Sequence, residues 1–156
     1  MKLLARPLSP LIVLLLLAGS PSSRADERDW VITTIDEEGD VGKYADLGID
    51  ASGDLHVAYW RSDNGTLKMI SQTDGSWDLP TVLDDGGGVG GYCDLAVTVD
   101  GQLPVSYLGD DTSALWYAGP ETRRSWGVDP LLTAEDDVGT SLDLVRGPDA
   151  ELTLAY

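Results

Sequence analysis

The sequence predicts an all-β chain of β-propeller type, and three observations carry that expectation. Trp30, Trp77 and Trp126 fall 47 and 49 residues apart. After each come a short apolar run, an acidic Gly-rich loop and the pattern Val-Gly-x-x-x-Asp-Leu, at 41–47, 89–95 and 138–144. From Asp46, Asp94 and Asp143 the register then runs without a gap to Tyr59, Tyr107 and Tyr156. A fixed period near 48 residues, filled with short strand-like runs, is the mark of a repeat architecture. Blades of four antiparallel strands fit such a repeat.

The elements follow in order. Residues 1–25 read as a secretory leader: Lys2 and Arg6 are basic, 11–18 is apolar, and Ser23-Arg24-Ala25 suits cleavage after Ala25. Eight apolar residues make a helix of only ~12 Å, against the ~30 Å of a bilayer core. The expectation is therefore a secreted or periplasmic protein with no membrane insertion after processing. Repeat one occupies 26–76. Its first strand, 30–35, is rich in β-branched residues, and 45–50 is the second. Residues 51–54 turn into the third, 55–60. There Leu55, Val57 and Tyr59 share one face, with His56, Ala58 and Trp60 on the other. Asn64-Gly65 is a hairpin signal, and 67–71 is the fourth strand. Repeat two, 77–125, has the same plan with turns at Asp100-Gly101 and 109–111. Repeat three, 126–156, reaches two strands further. The sequence thus holds about two and a half blades, incomplete beside the ~4–8 of closed propellers. It reads as a piece of a longer protein, a truncated product, or a module completed by copies of itself.

Three columns of the repeat are apolar: Leu47, Leu95 and Leu144; Leu55, Leu103 and Leu152; Val57, Val105 and Leu154. Their period of two makes them core positions. A single four-stranded sheet cannot cover both of its own faces, so neighbouring blades are expected to stack.

Composition bounds the partners. The formal charge is −17. The leader removes Lys2, Arg6 and Arg24 from 10 basic residues and none of the 27 acids, leaving −20. Nucleic acid needs a basic surface and is a poor partner. Anionic lipid is disfavoured for the same reason. The single Cys93 cannot form an internal disulfide, and its repeat equivalents Ala45 and Leu142 mark it as a small apolar residue. One Cys and one His exclude a structural zinc site of the usual kind.

The acidic loops are the best place for chemistry. Asp36, Glu38 and Asp40, then Asp84 and Asp85, then Asp136 and Asp137 occupy corresponding loops. Clustered carboxylates suit a hard cation such as calcium. The competing reading is a solvated turn in which Gly supplies positive φ and acids add solubility. Asp46, Asp94 and Asp143 recur at a strand start, a position that favours bonding to local backbone N–H groups. The Trp column is a packing anchor or a stacking surface for a ligand; Trp30, Trp77 and Trp126, with Tyr44 and Tyr92, are the ligand-binding candidates.

The unit Val-Gly-x-Tyr-x-x-Leu-x-x-Asp-x-x-Gly-x-x-His-Val-x-Tyr, spanning Val41 to Tyr59 after Trp30, resembles blade repeats of secreted bacterial propeller proteins with a sialidase-like fold. Residues 30–76 match best and 126–156 only as far as they go. The resemblance implies a non-catalytic, lectin-like module that binds a glycan or a protein surface, with ligand sites between blades. True sialidases are similar in fold and use an Arg triad. Here Arg28, Arg61, Arg123, Arg124 and Arg146 stand at non-equivalent repeat positions. The expectation is thus no enzyme; a glycoside-acting enzyme of sialidase-like fold, or a non-functional remnant, is the alternative.

Overall fold

A computed structural model describes residues 11–16, 30–86, 89–109, 114–122, 125–132, 141–147 and 151–156. The described residues form strands and turns, with no helix among them. All pairings are antiparallel.

The first full sheet is a meander. Strand β3 (Val41–Ile49) pairs with β4 (Leu55–Arg61), which pairs with β5 (Thr66–Thr73). The short β6 (Ser76–Trp77) turns back on β5, and β7 (Thr81–Asp84) pairs with the other end of β5. The second sheet runs β8 (Val89–Leu95), β9 (Val105–Gly109), β10 (Leu115–Thr122) and β11 (Ser125–Leu132) in that order. A third, of two strands, joins β12 (Asp143–Arg146) to β13 (Leu152–Ala155). Strand β1 (Leu11–Leu16), inside the apolar run read as the leader, pairs with β2 (Trp30–Asp36). No sheet closes on itself among the described residues.

The sheets are offset from the sequence repeat. The Trp strand that opens repeat two bonds back to β5 of repeat one, as β6 and β7. Likewise β11 completes the sheet of β8–β10. Strand β2 is the equivalent outer strand, and among the described residues it pairs with β1 rather than with the sheet of its own repeat. The second predicted strand, 45–50, starts earlier in the fold, at Val41. The extra residues are taken up by bulges between Val41 and Asp46, and the same irregularity recurs between Val89 and Asp94. Bulges extend a strand while breaking its strict alternation, so a period-of-two reading does not see them.

Turns repeat too. Asp50 Oδ1 accepts from the N–H groups of Ser52 and Asp54 at 2.8 and 3.0 Å, and Gly53 takes φ 88°. Thr98 Oγ1 accepts from Gln102 N–H at 2.8 Å in the corresponding turn, where Gly101 takes φ 78°. Side-chain acceptors of this kind hold turns without neighbouring strands.

Two cores result. One lies between the first and second sheets: Ala58, Leu67, Met69 and Leu83 meet Cys93, Leu95, Val105 and Tyr107. The other covers the opposite face of the first sheet, where Val41, Val57, Tyr59 and Ile70 pack with Ile35 of β2 and with Trp77.

Candidate functional site

The seam between β3 and β8 gathers the chemistry. Tyr44 and Tyr92 stand at the same repeat position, inside the two bulges. Both take left-handed backbone, φ 51° and 54°. Bulky residues avoid that region because Cβ crowds the following carbonyl, at a cost of ~1–2 kcal/mol each. The two rings lie 4.4 Å apart, tilted by 34°. Tyr44 also stacks on Trp60 at 5.8 Å, and Lys43 Nζ sits 5.8 Å over the Trp60 ring. Tyr44 and Tyr92 remain 43% and 41% exposed, so the stack is a surface shelf.

Beneath the shelf is a cleft of about 230 Å³ lined by Tyr44, Asp46, Tyr92, Asp94, Ser141 and Leu142, among others. Its floor is carboxylate. Asp46 Oδ1 accepts from its neighbour Leu47 N–H at 2.8 Å, and Oδ2 accepts from Leu95 N–H, also at 2.8 Å. Asp94 Oδ2 accepts in turn from Leu144 N–H. The expected local bonding is present at Asp46; the bond that reaches one repeat ahead is the part the sequence did not announce. Burial, and then the Asp46 carboxyl hydrogen-bonded to it, push Asp94 up to about 6. Cys93 Sγ donates to Tyr44 O at 2.8 Å, tying the two bulges together. Burial pushes its thiol up to about 12, so it is an inert packing group.

No family model matches the chain, and no curated protein matches it.

The acidic loops fold differently from one another. Asp36 is buried; its Oδ2 accepts from Lys68 Nζ at 2.6 Å and from Tyr59 OH at 2.7 Å. Burial is the largest influence and opposes its charge, but the bonds from Lys68, the Glu38 N–H and Tyr59 together outweigh it and hold the carboxyl below its ordinary range. Burial and the Asp36 carboxylate together push the Tyr59 phenol far up. Glu38 accepts from Arg61 at 3.0 Å, and Arg61 also holds Asp63 at 2.8 Å. Asp40 accepts from Lys43 at 2.8 Å and from Ser62 at 2.5 Å. Asp84 accepts from Tyr107 OH at 2.6 Å and from Gly86 N–H at 2.8 Å. Asp85 is exposed; Asp136 and Asp137 lie outside the described residues. Among the described residues no three Asp, Glu, His or Cys side chains converge as a metal site.

These loops border an open groove of about 970 Å³ between β2 and the outer edge of the first sheet, lined among others by Glu38, Arg61, Lys68, Leu79, Val82 and Asp85. Of the Trp candidates, Trp77 packs on the second core and Trp126 on the first, both half-buried. Trp30 opens β2. The site residues that sequence reasoning missed are Lys43, Trp60 and Lys68. Trp60 and Lys68 sit at alternating strand positions that read as ordinary, and only the pairing of β3, β4 and β5 brings them to the acids and Tyr44.

Proposed function

We propose that the chain is an exported, non-enzymatic binding scaffold of β-propeller-type blades, and that it takes a neutral glycan on the Tyr44–Tyr92 shelf. One observation carries this reading. Two successive repeats each hold a tyrosine in left-handed backbone, and the two rings stack half-exposed over a polar cleft. Backbone strain of this kind persists where the surroundings enforce it and clusters at functional sites. Aromatic faces accept the apolar faces of sugar rings, while the Asp94 and Ser141 side chains of the cleft suit hydroxyl groups. The formal charge of −17 repels acidic sugars and favours neutral ones.

Blade geometry is supported by two successive four-strand units, each closed by the Trp strand of the next repeat. The non-enzymatic reading rests on the carboxylates. Both Asp46 oxygens and one Asp94 oxygen are occupied by backbone N–H groups, which suits a structural role better than proton transfer.

The test is a titration of the protein with a panel of neutral and acidic oligosaccharides, read by intrinsic tryptophan fluorescence and by calorimetry. Saturable binding of a neutral member, lost in Tyr44→Ala/Tyr92→Ala with an unchanged circular dichroism spectrum, is the expected result. A double variant that binds as wild type does would sink the idea, as would a panel with no binder at all.

A further inference from the structure

The described sheets meet one another twice through the same contact. Asp46 of β3 accepts from the Leu95 N–H of β8, 49 residues on; Asp94 of β8 accepts from the Leu144 N–H of β12, 50 residues on. An outer-strand contact repeats alongside it. Asp36 at the end of β2 holds Tyr59 of β4, and Asp84 at the end of β7 holds Tyr107 of β9. Each sheet therefore presents two unlike faces, one that offers the carboxylate and one that receives it. The contact is head to tail, and such contacts propagate into rings or filaments.

The two faces left over are complementary halves. On the receiving face of the first sheet, the outer part is covered by β2: Tyr59 and Ile70 are buried. The inner part is bare. Leu47 is 50% exposed, whereas its equivalents Leu95 and Leu144, each behind a preceding sheet, are 6% and 7% exposed. Ile49 beside it is 61% exposed. At the other end, the third sheet has two strands among the described residues, β12 and β13, in the inner positions. Their register puts Asp143, Val145, Thr153 and Ala155 on one face, opposite the buried Leu144. Asp143 and Val145 are both exposed there. Among the described residues, the half-face without cover is the inner one, and the half-sheet without a neighbouring sheet is also an inner one.

We propose that β12–β13 of one molecule docks on β3 of a second copy of this chain. Asp143 then accepts from Leu47 N–H of the partner copy in place of that residue's own neighbour Asp46 Oδ1, as Asp46 and Asp94 accept from Leu95 and Leu144 within the chain. Val145 and Ala155 cover Leu47 and Ile49. The contact removes exposed apolar side chains from water, which drives association, and it is continuous with the two interfaces already formed. Gly48, the equivalent of Val145 in the first sheet, would bring a Cβ to 2.6 Å from Val97. The Val145–Ile49 pair is larger on both sides, so the docked sheets stand farther apart there. Strand β1 also approaches β3, so cleavage after Ala25 would take it away and widen the receiving face.

The test is the solution mass of the full, naturally processed chain across a concentration series, by light scattering or sedimentation. Wild type is expected to exceed the monomer mass. Ile49→Asp and Val145→Lys change exposed residues on the two opposite faces, so each variant keeps its circular dichroism spectrum and becomes monomeric. An equal mixture of the two variants then forms dimers, because the intact Val145 face of one meets the intact Ile49 face of the other. A monomeric wild type at every concentration, or single variants that still associate, would overturn the proposal. A mixture that stays monomeric would overturn the head-to-tail arrangement.

Discussion

Left-handed backbone at a tyrosine gives a sharp residue-scale expectation at positions 44 and 92. Within strands Gly is ordinarily weaker than Ala, by ~0.5–1 kcal/mol. At φ 51° and 54° the order reverses, because Ala keeps the Cβ clash and Gly removes it. Tyr44→Ala loses ring stacking, ~1 kcal/mol beyond its burial, and retains the strain. Tyr44→Gly loses the same stacking and recovers ~1–2 kcal/mol. After glycine's own ~0.5–1 kcal/mol backbone cost is set against this gain, the glycine variant is expected to be the more stable of the two by up to ~1 kcal/mol, as read from urea midpoints, and the same at Tyr92. Equal midpoints, or alanine above glycine, would show that the ring and not the backbone defines the position.

The two Asp–Tyr clasps differ by one residue. Lys68, paired across from Tyr59, is buried against Asp36; the corresponding partner of Tyr107 is Trp116. Asp36→Ala leaves the buried ammonium with only the exposed Glu38 carboxylate, 4.0 Å away, a loss toward the lower end of ~3–5 kcal/mol. Asp84→Ala leaves only a phenol unsatisfied, ~1–3 kcal/mol. Denaturant midpoints of the two variants should rank in that order. None of this was legible in the acidic loop, where Asp36 and Asp84 read as equivalent. The signal lay 32 residues away in a Lys on a strand, and only the pairing of β4 with β5 joins the two.

At the scale of elements, the seam of β3, β8 and β12 carries a pH dependence. Asp94 is raised to about 6 by burial and by Asp46, above the ordinary aspartate value of 3.8. A group raised in the folded state binds its proton more tightly there than when unfolded. Its contribution is fully present below the unfolded value and is lost as pH rises through about 6. Asp36, Asp50, Asp63 and Asp100 are lowered instead, so their contributions hold above 3.8 and fail only in stronger acid. Thermal stability is expected to rise as pH falls from neutral toward 5, then to drop below 4. Asp94→Asn should flatten the first limb and leave the second. A stability curve flat between pH 5 and 7 in wild type would remove Asp94 from this role.

The strands themselves were well legible. The period of 48, the Asn-Gly and Asp-Gly turns and the alternation of Leu55, Val57 and Tyr59 place β4, β5 and β9 close to where they lie. Two features were hidden for one physical reason: they depend on partners outside the local window. Bulges at Tyr44 and Tyr92 leave a composition no different from a regular strand. The return of the Trp strand to the previous sheet is a choice of neighbour, which hydrophobic pattern alone does not encode. Within the candidate site, Tyr44 and Tyr92 were named from their repeat position, and their stacking came from the packing of one sheet on the next.

For the whole molecule, charge decides the last expectation. With 27 acids against 10 bases, the exposed carboxylates of the described loops repel one another and favour the expanded chain. Salt screens such surface repulsion over a Debye length of ~10 Å at 0.1 M, and ~3 Å at 1 M. The attractive pairs respond unequally. Lys43–Asp40 is exposed and weakens with the rest, whereas Lys68–Asp36 is buried and is screened little. Net repulsion is the larger surface effect, because unpaired acids outnumber the bases available to them. The melting temperature is therefore expected to rise between low salt and ~0.5 M sodium chloride, where the Debye length is already near the contact scale. The rise should be smaller in a variant with exposed acids such as Glu37 and Asp85 converted to their amides. A melting temperature that falls with salt would mean that the surface ion pairs of Arg61 and Lys43 outweigh the repulsion, and that the acidic loops hold the fold together rather than strain it.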